Sequence, residues 1–129
     1  MIEYLTLEDL LSLCRDLGNL PVRDLGLLHS AAERPATSLY GADAYPTVHE
    51  KAAALLQSLT RNHALADGNK RLGWLGTVVL YGLNGFELDA PEDDAYALVI
   101  SVATGDVDVR EAAVTLAGWV RPASVDLAP

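Results

Sequence analysis

HALADGNKRLGWLGTVVLYGLNG, residues 63–85, joins a polar turn to a long apolar helical pattern and decides the fold. Gly68 and Asn69 can turn the backbone sharply, so the pattern predicts a helix that begins near Asn69 and ends at Asn84 and Gly85. This helix is apolar on nearly all sides, which is typical of a central, buried helix. Six residues form the face that we expect to be buried: Leu72, Leu75, Gly76, Val79, Leu80 and Leu83.

Three glycines lie inside this predicted helix, at positions 73, 76 and 82. Each costs up to about 1 kcal/mol against alanine in a helix interior. We therefore expect each of them to allow the close approach of a neighbouring helix or of a ligand.

Two cations, Lys70 and Arg71, stand in the first turn of this helix, where positive charge opposes the helix dipole by about 0.3 to 1 kcal/mol each. Asp67 offsets part of this cost. A phosphate group would satisfy both cations and the free backbone N–H groups of the helix start together. A magnesium ion held by Asp67 would complete a polyphosphate site.

His63 lies four residues before Asp67. A neutral imidazole at this position could act as a general base on a hydroxyl group. The alternative is a histidine that only interacts with the dipole at the end of the preceding helix. The glycine, asparagine and cations that follow favour the catalytic interpretation.

Five further helical patterns surround this stretch, and no segment of useful length alternates with the period of two that is typical of strands. The sequence therefore predicts an all-α, single-domain bundle of about six helices around the buried central helix. The other helices are expected from Thr6 to about Leu17, after Asp24 to Arg34 at most, from a capping box TVHE at Thr47, after Pro91, and from Asp108 to a point before Pro122.

The helix that begins at TVHE carries one apolar stripe. Continuing this stripe by four residues from Leu59 predicts that His63 lies on the inner face. Residues 35–46, PATSLYGADAYP, are predicted to form a surface segment, either a small hairpin or a flap. Its length suggests that it has a function.

The composition describes an ordinary globular chain of 129 residues, with 50% hydrophobic and 21% charged residues. These values exclude a disordered protein. The net charge of −9 argues against direct nucleic-acid binding. The single cysteine, Cys14, cannot form an internal disulfide, and neither a charged leader nor an apolar run of about 20 residues is present. We therefore expect a cytoplasmic protein that does not enter a membrane.

Several common site patterns do not match. The chain has no GxxxxGK(S/T) phosphate loop and no CxxC pair, and His49 and Glu50 are not followed by the second histidine of a zinc protease. His29 and His49 are therefore expected on helix flanks. The carboxylates between Glu87 and Glu111 lack histidine or cysteine companions and are expected on the solvated surface.

Residues 63–71, HALADGNKR, closely resemble the HxFx(D/E)(G/A)N(G/K)R signature of Fic and death-on-curing (Doc) proteins, with Leu65 where phenylalanine is usual. Three flanking segments, RDLGLLHSAAERP, YPTVHEKAAALLQSL and LNG, are also similar to bacterial Doc toxins. The resemblance implies a Fic/Doc (Fido) domain over residues 1–122. Residues 123–129 are expected to form a frayed tail.

The resemblance also implies a role for each residue of the signature. His63 would be the base for a serine or threonine hydroxyl, and Asp67 the Mg²⁺ ligand. Gly68 and Asn69 would form the anion-binding turn, while Lys70 and Arg71 would neutralise the phosphate oxygens of ATP.

Two positions indicate the branch of this family. Fic enzymes that transfer AMP usually have glycine at the position of Lys70 and a second arginine at the position of Trp74. The sequence therefore resembles the Doc branch, in which the γ-phosphate of ATP is transferred. The resemblance then implies a toxin kinase that blocks translation by modifying elongation factor Tu, controlled by a separate, Phd-like antitoxin. AMP transfer is the first alternative, and an inactive antitoxin-binding module is the second.

Overall fold

The computed structural model of the protein describes residues 1–124, which form six α-helices, a one-turn 3₁₀ helix (Arg34–Ala36) and four short strands. The helices are α1 (Leu7–Asp16), α2 (Leu25–Glu33), α3 (Val48–Arg61), α4 (Asn69–Leu83), α5 (Glu92–Thr104) and α6 (Val109–Ala117). The strands are β1 (Ser38–Leu39), β2 (Ala42–Asp43), β3 (Phe86–Leu88) and β4 (Val120–Pro122). The predicted all-α class and the number of helices are confirmed. No helix within the described residues is long and apolar enough to cross a membrane.

Side-chain caps begin four of the helices, at the residues that the sequence predicts. These N-cap residues are Thr6, Asp24, Thr47 and Asp108, and each accepts a hydrogen bond from the backbone N–H three residues later. The reciprocal bond of a full capping box is present in α1 and α6. The full box predicted at TVHE is wrong, because the Glu50 carboxylate accepts from the Thr47 hydroxyl at 3.3 Å rather than from its backbone N–H.

The central helix α4 packs against α1, α3 and α5, and most extensively against α3. Two of its glycines allow this contact. A Cβ at Gly73 would lie 2.8 Å from the Thr60 methyl group, and one at Gly76 would lie 3.1 Å from Leu59 Cδ1. The expected close approach is therefore confirmed at these two positions. It is wrong at Gly82, where a Cβ would meet nothing within 4 Å.

The buried face of α4 differs in part from the predicted one. It consists of Leu72, Gly73, Gly76, Thr77, Leu80 and Tyr81. Leu83 is 47% exposed, and Leu75 and Val79 are only half-buried, so the expected face was wrong at these positions. The cause is that α4 is apolar on all sides, so the spacing of its apolar residues does not show which face is buried.

Residues 38–43 form an antiparallel hairpin, which confirms the first of the two structures expected for this segment. Ser38 pairs with Asp43, and Leu39 pairs with Ala42. Tyr40 and Gly41 connect the strands with φ values of +52° and +80°, as a type I′ turn requires. The tip is exposed to solvent, including the whole Tyr40 side chain.

Two basic side chains hold the base of this hairpin against α3. The Lys51 ammonium group, only 1% exposed, donates to Asp43 Oδ2 at 3.1 Å and to the Tyr45 carbonyl oxygen at 2.6 Å. The Arg34 guanidinium donates to the Tyr45 hydroxyl at 3.1 Å and to Ser58 Oγ at 3.0 Å. The hairpin is thus anchored at its base, while its tip contacts solvent.

Strands β3 and β4 form a second antiparallel pair, which the sequence pattern did not indicate because each strand has only three residues. The Ala123 N–H extends this pairing by donating to the Gly85 carbonyl oxygen at 2.9 Å. Of the tail predicted to fray, residues 125–129 lie outside the described residues.

Candidate active site

The loop between α3 and α4, residues 62–68, carries the first half of the signature. Helix α3 ends at Arg61, with Asn62 as its C-cap, so the predicted position of His63 on the inner face of this helix is wrong. His63 instead has a left-handed φ of +56° and an exposed side chain. This backbone conformation is rare for residues other than glycine and turns the imidazole to solvent, where a substrate can reach it.

Backbone hydrogen bonds fix this loop against the segment before α2. The Ala64 carbonyl oxygen accepts from the N–H groups of Arg23 and Asp24 at 2.8 and 2.9 Å. The Arg23 guanidinium donates to the His63 carbonyl oxygen. Leu65, which stands where the family signature has phenylalanine, is 1% exposed and anchors the loop in the core. The position of His63 therefore depends on the hydrogen bonds that Arg23 and Asp24 donate to the carbonyl oxygens of residues 63 and 64, and on the burial of Leu65.

The Asn69 side chain closes the loop from the helix side. Its Oδ1 accepts from the Leu65 N–H at 3.0 Å, and its Nδ2 donates to the Leu65 carbonyl oxygen at 3.1 Å. Both ends of the amide are thus used within the loop. Asn69 therefore shapes the turn with its side chain, and its backbone N–H remains available to a ligand.

Gly68 begins α4 in the left-handed conformation, with φ at +87°. A Cβ there would lie 2.6 Å from Leu20 Cδ1, so no side chain fits without movement. No side chain caps this helix, and the N–H groups of Asn69, Lys70 and Arg71 have no hydrogen-bond partner among residues 1–124. A left-handed residue followed by free N–H groups at a helix start is the usual geometry of an anion site. We call these groups, residues 68–71, the anion cradle.

The charged side chains around the anion cradle are exposed. Arg71 Nη2 lies 3.6 Å from Asp67 Oδ2, and the two side chains are 56% and 86% exposed. Such an exposed pair contributes about 0 to 1 kcal/mol, so it can rearrange when a ligand binds. Lys70 is also exposed and has no ion pair among the described residues.

Asp67 fits the way that Mg²⁺ binds at nucleotide sites. No group of three or more metal-binding side chains occurs within residues 1–124. Mg²⁺ does not require one, because it commonly binds to one or two carboxylates together with substrate phosphates and water. A single exposed carboxylate beside anion donors suits this mode and does not suit a structural metal.

Comparison with known proteins identifies the family of this chain. The model of the Fic/DOC family matches residues 4–81. The chain belongs to the Fic/Doc family. It is also similar to Toxin Doc of Mycolicibacterium smegmatis, with 48% identity over 127 residues that cover 95% of this chain and 98% of that protein.

The other two histidines of this Fic/Doc protein lie on helix flanks. His29 is exposed on α2 and lies 3.0 Å from the Glu33 carboxylate. His49 on α3 is half-buried, and its Nδ1 lies 2.9 Å from the Tyr81 hydroxyl, whose pKa is raised by burial. Both positions agree with the helix flanks that the sequence predicts.

Sequence reasoning missed two residues of the Fic/Doc site, Leu20 and Arg23. Leu20 packs against Gly68, and Arg23 binds the loop at His63 and Ala64. Both residues lie about 40 positions before the loop. Arg23 begins the segment RDLGLLHSAAERP, which resembles Doc toxins, and Pro21 between the two residues marks an irregular segment whose backbone can pair with a distant loop. Neither signal identifies the loop at His63 as the partner.

Proposed function

We propose that this chain is the toxin of a toxin–antitoxin pair and that it transfers the γ-phosphate of ATP to a serine or threonine hydroxyl of a protein. The anion cradle carries this proposal, because it combines free N–H groups with Lys70 at the position that distinguishes the two branches of the family. The similarity to Toxin Doc over nearly the whole chain supports it.

In the proposed reaction, the γ-phosphate oxygens accept hydrogen bonds from the N–H groups of the anion cradle, and Lys70 and Arg71 neutralise their charge. The hydroxyl oxygen of the target attacks the γ-phosphorus, and the bond between this phosphorus and the β–γ bridging oxygen breaks. ADP leaves with that oxygen and its electron pair. His63 takes the proton of the hydroxyl. Mg²⁺ bound at Asp67 would neutralise charge on the phosphates.

The exposure of His63 supports its role as the base. A protein substrate is too large to enter a closed pocket, so the base must meet its hydroxyl at the surface. The main-chain contacts of residues 63 and 64 hold the imidazole there without covering it. By resemblance, elongation factor Tu is the proposed target and a Phd-like antitoxin the proposed partner.

Labelled ATP tests the reaction type. The purified chain is incubated with Mg²⁺, elongation factor Tu and ATP that carries ³²P at either the α or the γ position. We expect labelled protein only from the γ position. Label from the α position alone would establish AMP transfer instead, and binding of ATP without label from either position would indicate an inactive module.

His63→Asn tests the base without disturbing the loop, because asparagine tolerates a positive φ better than alanine does. We expect the transfer rate to fall about 10²- to 10⁴-fold while the thermal midpoint stays unchanged. His29→Asn, also at an exposed histidine, is the matched control and should keep the full rate. Equal rates for both variants would remove His63 from the mechanism.

A further inference from the structure

A groove of about 610 Å³ lies directly beside the anion cradle, between the outer face of α4 and helix α5. Lys70 and Arg71 of the anion cradle line it, together with Trp74 and Leu75 one turn further along α4. Tyr96 and Val99 of α5 form the opposite wall. We propose that this groove binds the nucleoside half of the nucleotide, with the base against Trp74 and Tyr96. This inference rests on the proposed function, since it assumes that ATP phosphates occupy the anion cradle.

The groove presents three kinds of chemical group to a ligand. Lys70 and Arg71 contribute cations, and Asp89 and Glu92 contribute carboxylates. Trp74, Leu75, Tyr96 and Val99 contribute apolar surface between the two helices.

Each part of the groove then has a complementary part of the ligand. The cations suit phosphates, and the apolar side chains suit the flat faces of the base. The carboxylates can accept hydrogen bonds from the amino group or the hydroxyls of a nucleoside. The volume lies within the range of 300 to 1,000 Å³ that is usual for small-molecule sites.

The two aromatic side chains are available for stacking. Tyr96 is 70% exposed on α5, although a tyrosine on a helix surface normally packs against a neighbour. Trp74 is half-buried, packs against the hydrophobic core and also lines the groove. Bases stack on such side chains with little regard to sequence, and loss of one stack typically weakens binding about tenfold.

Calorimetry in the presence of Mg²⁺ measures the affinities for ATP and for inorganic tripolyphosphate. Their ratio gives the contribution of the nucleoside half of the ligand. We expect the wild-type chain to bind ATP about 100-fold more tightly than tripolyphosphate, because each of the two stacking side chains contributes about tenfold. Tyr96→Ser and Trp74→Leu should each remove about tenfold of ATP affinity and change tripolyphosphate affinity less than twofold. Val114→Ser, at an exposed apolar residue of α6, is the control and should change neither.

The outcomes distinguish the inference from the proposed function. If the wild-type chain binds both probes equally, or if both variants keep the preference for ATP, the groove does not hold the nucleoside and is free for a partner helix. If it binds neither probe, both the proposed function and this inference fail. Photolabelling of the wild-type chain with 8-azido-ATP does not depend on the folding of a variant. Labelled peptides should contain residues 70–75 or 88–99, and labels elsewhere would overturn the inference.

Discussion

Replacement of Asn69 by alanine tests whether one side chain shapes the active loop. The change removes two hydrogen bonds to Leu65, of 3.0 and 3.1 Å, which together contribute about 1 to 3 kcal/mol. Leu65 is 1% exposed, so its backbone groups also lose their partner in a place that water reaches poorly. Alanine regains about 0.5 kcal/mol through its helix propensity. We therefore expect the free energy of unfolding to fall by about 2 kcal/mol.

The effect on the transfer rate should be larger than the effect on stability suggests. Without Asn69, the turn that carries His63 and Gly68 is free to relax away from the start of α4. A displacement of about 1 Å at a reacting group can lower a rate about 100-fold. We expect a loss of this order in the phosphate-transfer assay, at a temperature at which circular dichroism shows the variant to be folded.

Asn84 provides a matched control at the other end of the same helix. Its amide accepts from the Glu3 N–H at 2.8 Å and donates to the Glu3 carbonyl oxygen at 2.9 Å, which matches the pair of bonds between Asn69 and Leu65. It also donates to the Leu80 carbonyl oxygen at 2.8 Å. In urea unfolding, Asn84→Ala should also lower the free energy of unfolding by about 1 to 2 kcal/mol, and it should keep the full phosphate-transfer rate. If the two variants lose stability alike and both keep full activity, then Asn69 does not determine the shape of the loop.

Three further changes test the packing of the fold. In urea unfolding, Gly73→Ala should lower the free energy of unfolding by about 1 to 3 kcal/mol, because its Cβ would lie 2.8 Å from a methyl group of α3. Gly82→Ala should raise the free energy of unfolding by up to about 1 kcal/mol, because its Cβ would meet nothing within 4 Å. Lys51→Met should lower the free energy of unfolding by about 1 to 2 kcal/mol and speed chymotrypsin cleavage at the exposed hairpin tip, because Asp43 loses its buried partner. The loss stays small because Asp43 is itself 55% exposed and remains hydrated. Burial raises the pKa of Tyr81 above its ordinary 10.0, so the native state keeps a proton that the unfolded chain releases, and the free energy of unfolding should decline as the pH rises above about 10.

Each of these predictions has a result that contradicts it. Equal effects of the two glycine variants would mean that the contact between α3 and α4 adjusts freely. Unchanged cleavage of the Lys51 variant would show that Arg34 alone anchors the hairpin. For the alkaline decline, Tyr81→Phe is the control, and a decline of the same slope in this variant would assign it to other groups.

The elements of the fold were predictable because their signals are local. The N-caps of α1, α2, α3 and α6 depend on side chains within three residues of each helix start. The surface segment that contains the hairpin follows from the two prolines and the glycine of residues 35–46, whereas the positive φ of Tyr40 is not expected for a bulky side chain. The anion cradle also follows from neighbours, since Gly68, Lys70 and Arg71 lie within one helical turn.

The remaining features depend on contacts between residues that are distant in sequence, and the spacing of apolar residues does not reveal such contacts. The position of His63 was wrong because an extended helix was assumed, whereas bonds from Arg23 hold residues 63 and 64 outside it. The buried face of α4 was partly wrong because an all-apolar helix has no preferred direction. The groove is formed by Trp74 and Tyr96 from separate helices, and neither residue indicates it alone.

The polar side chains of the signature do not hold the protein together. His63, Asp67, Lys70 and Arg71 are all exposed, and the loop that carries them is fixed by main-chain bonds, Leu65 and Asn69. In genetic terms, this separates two kinds of null allele. We expect substitutions at the four exposed positions to abolish the proposed activity and still leave a folded chain at normal abundance, whereas core substitutions remove the chain itself. A variant of the first kind keeps the rest of its surface, so we expect it to compete with the active protein for a binding partner.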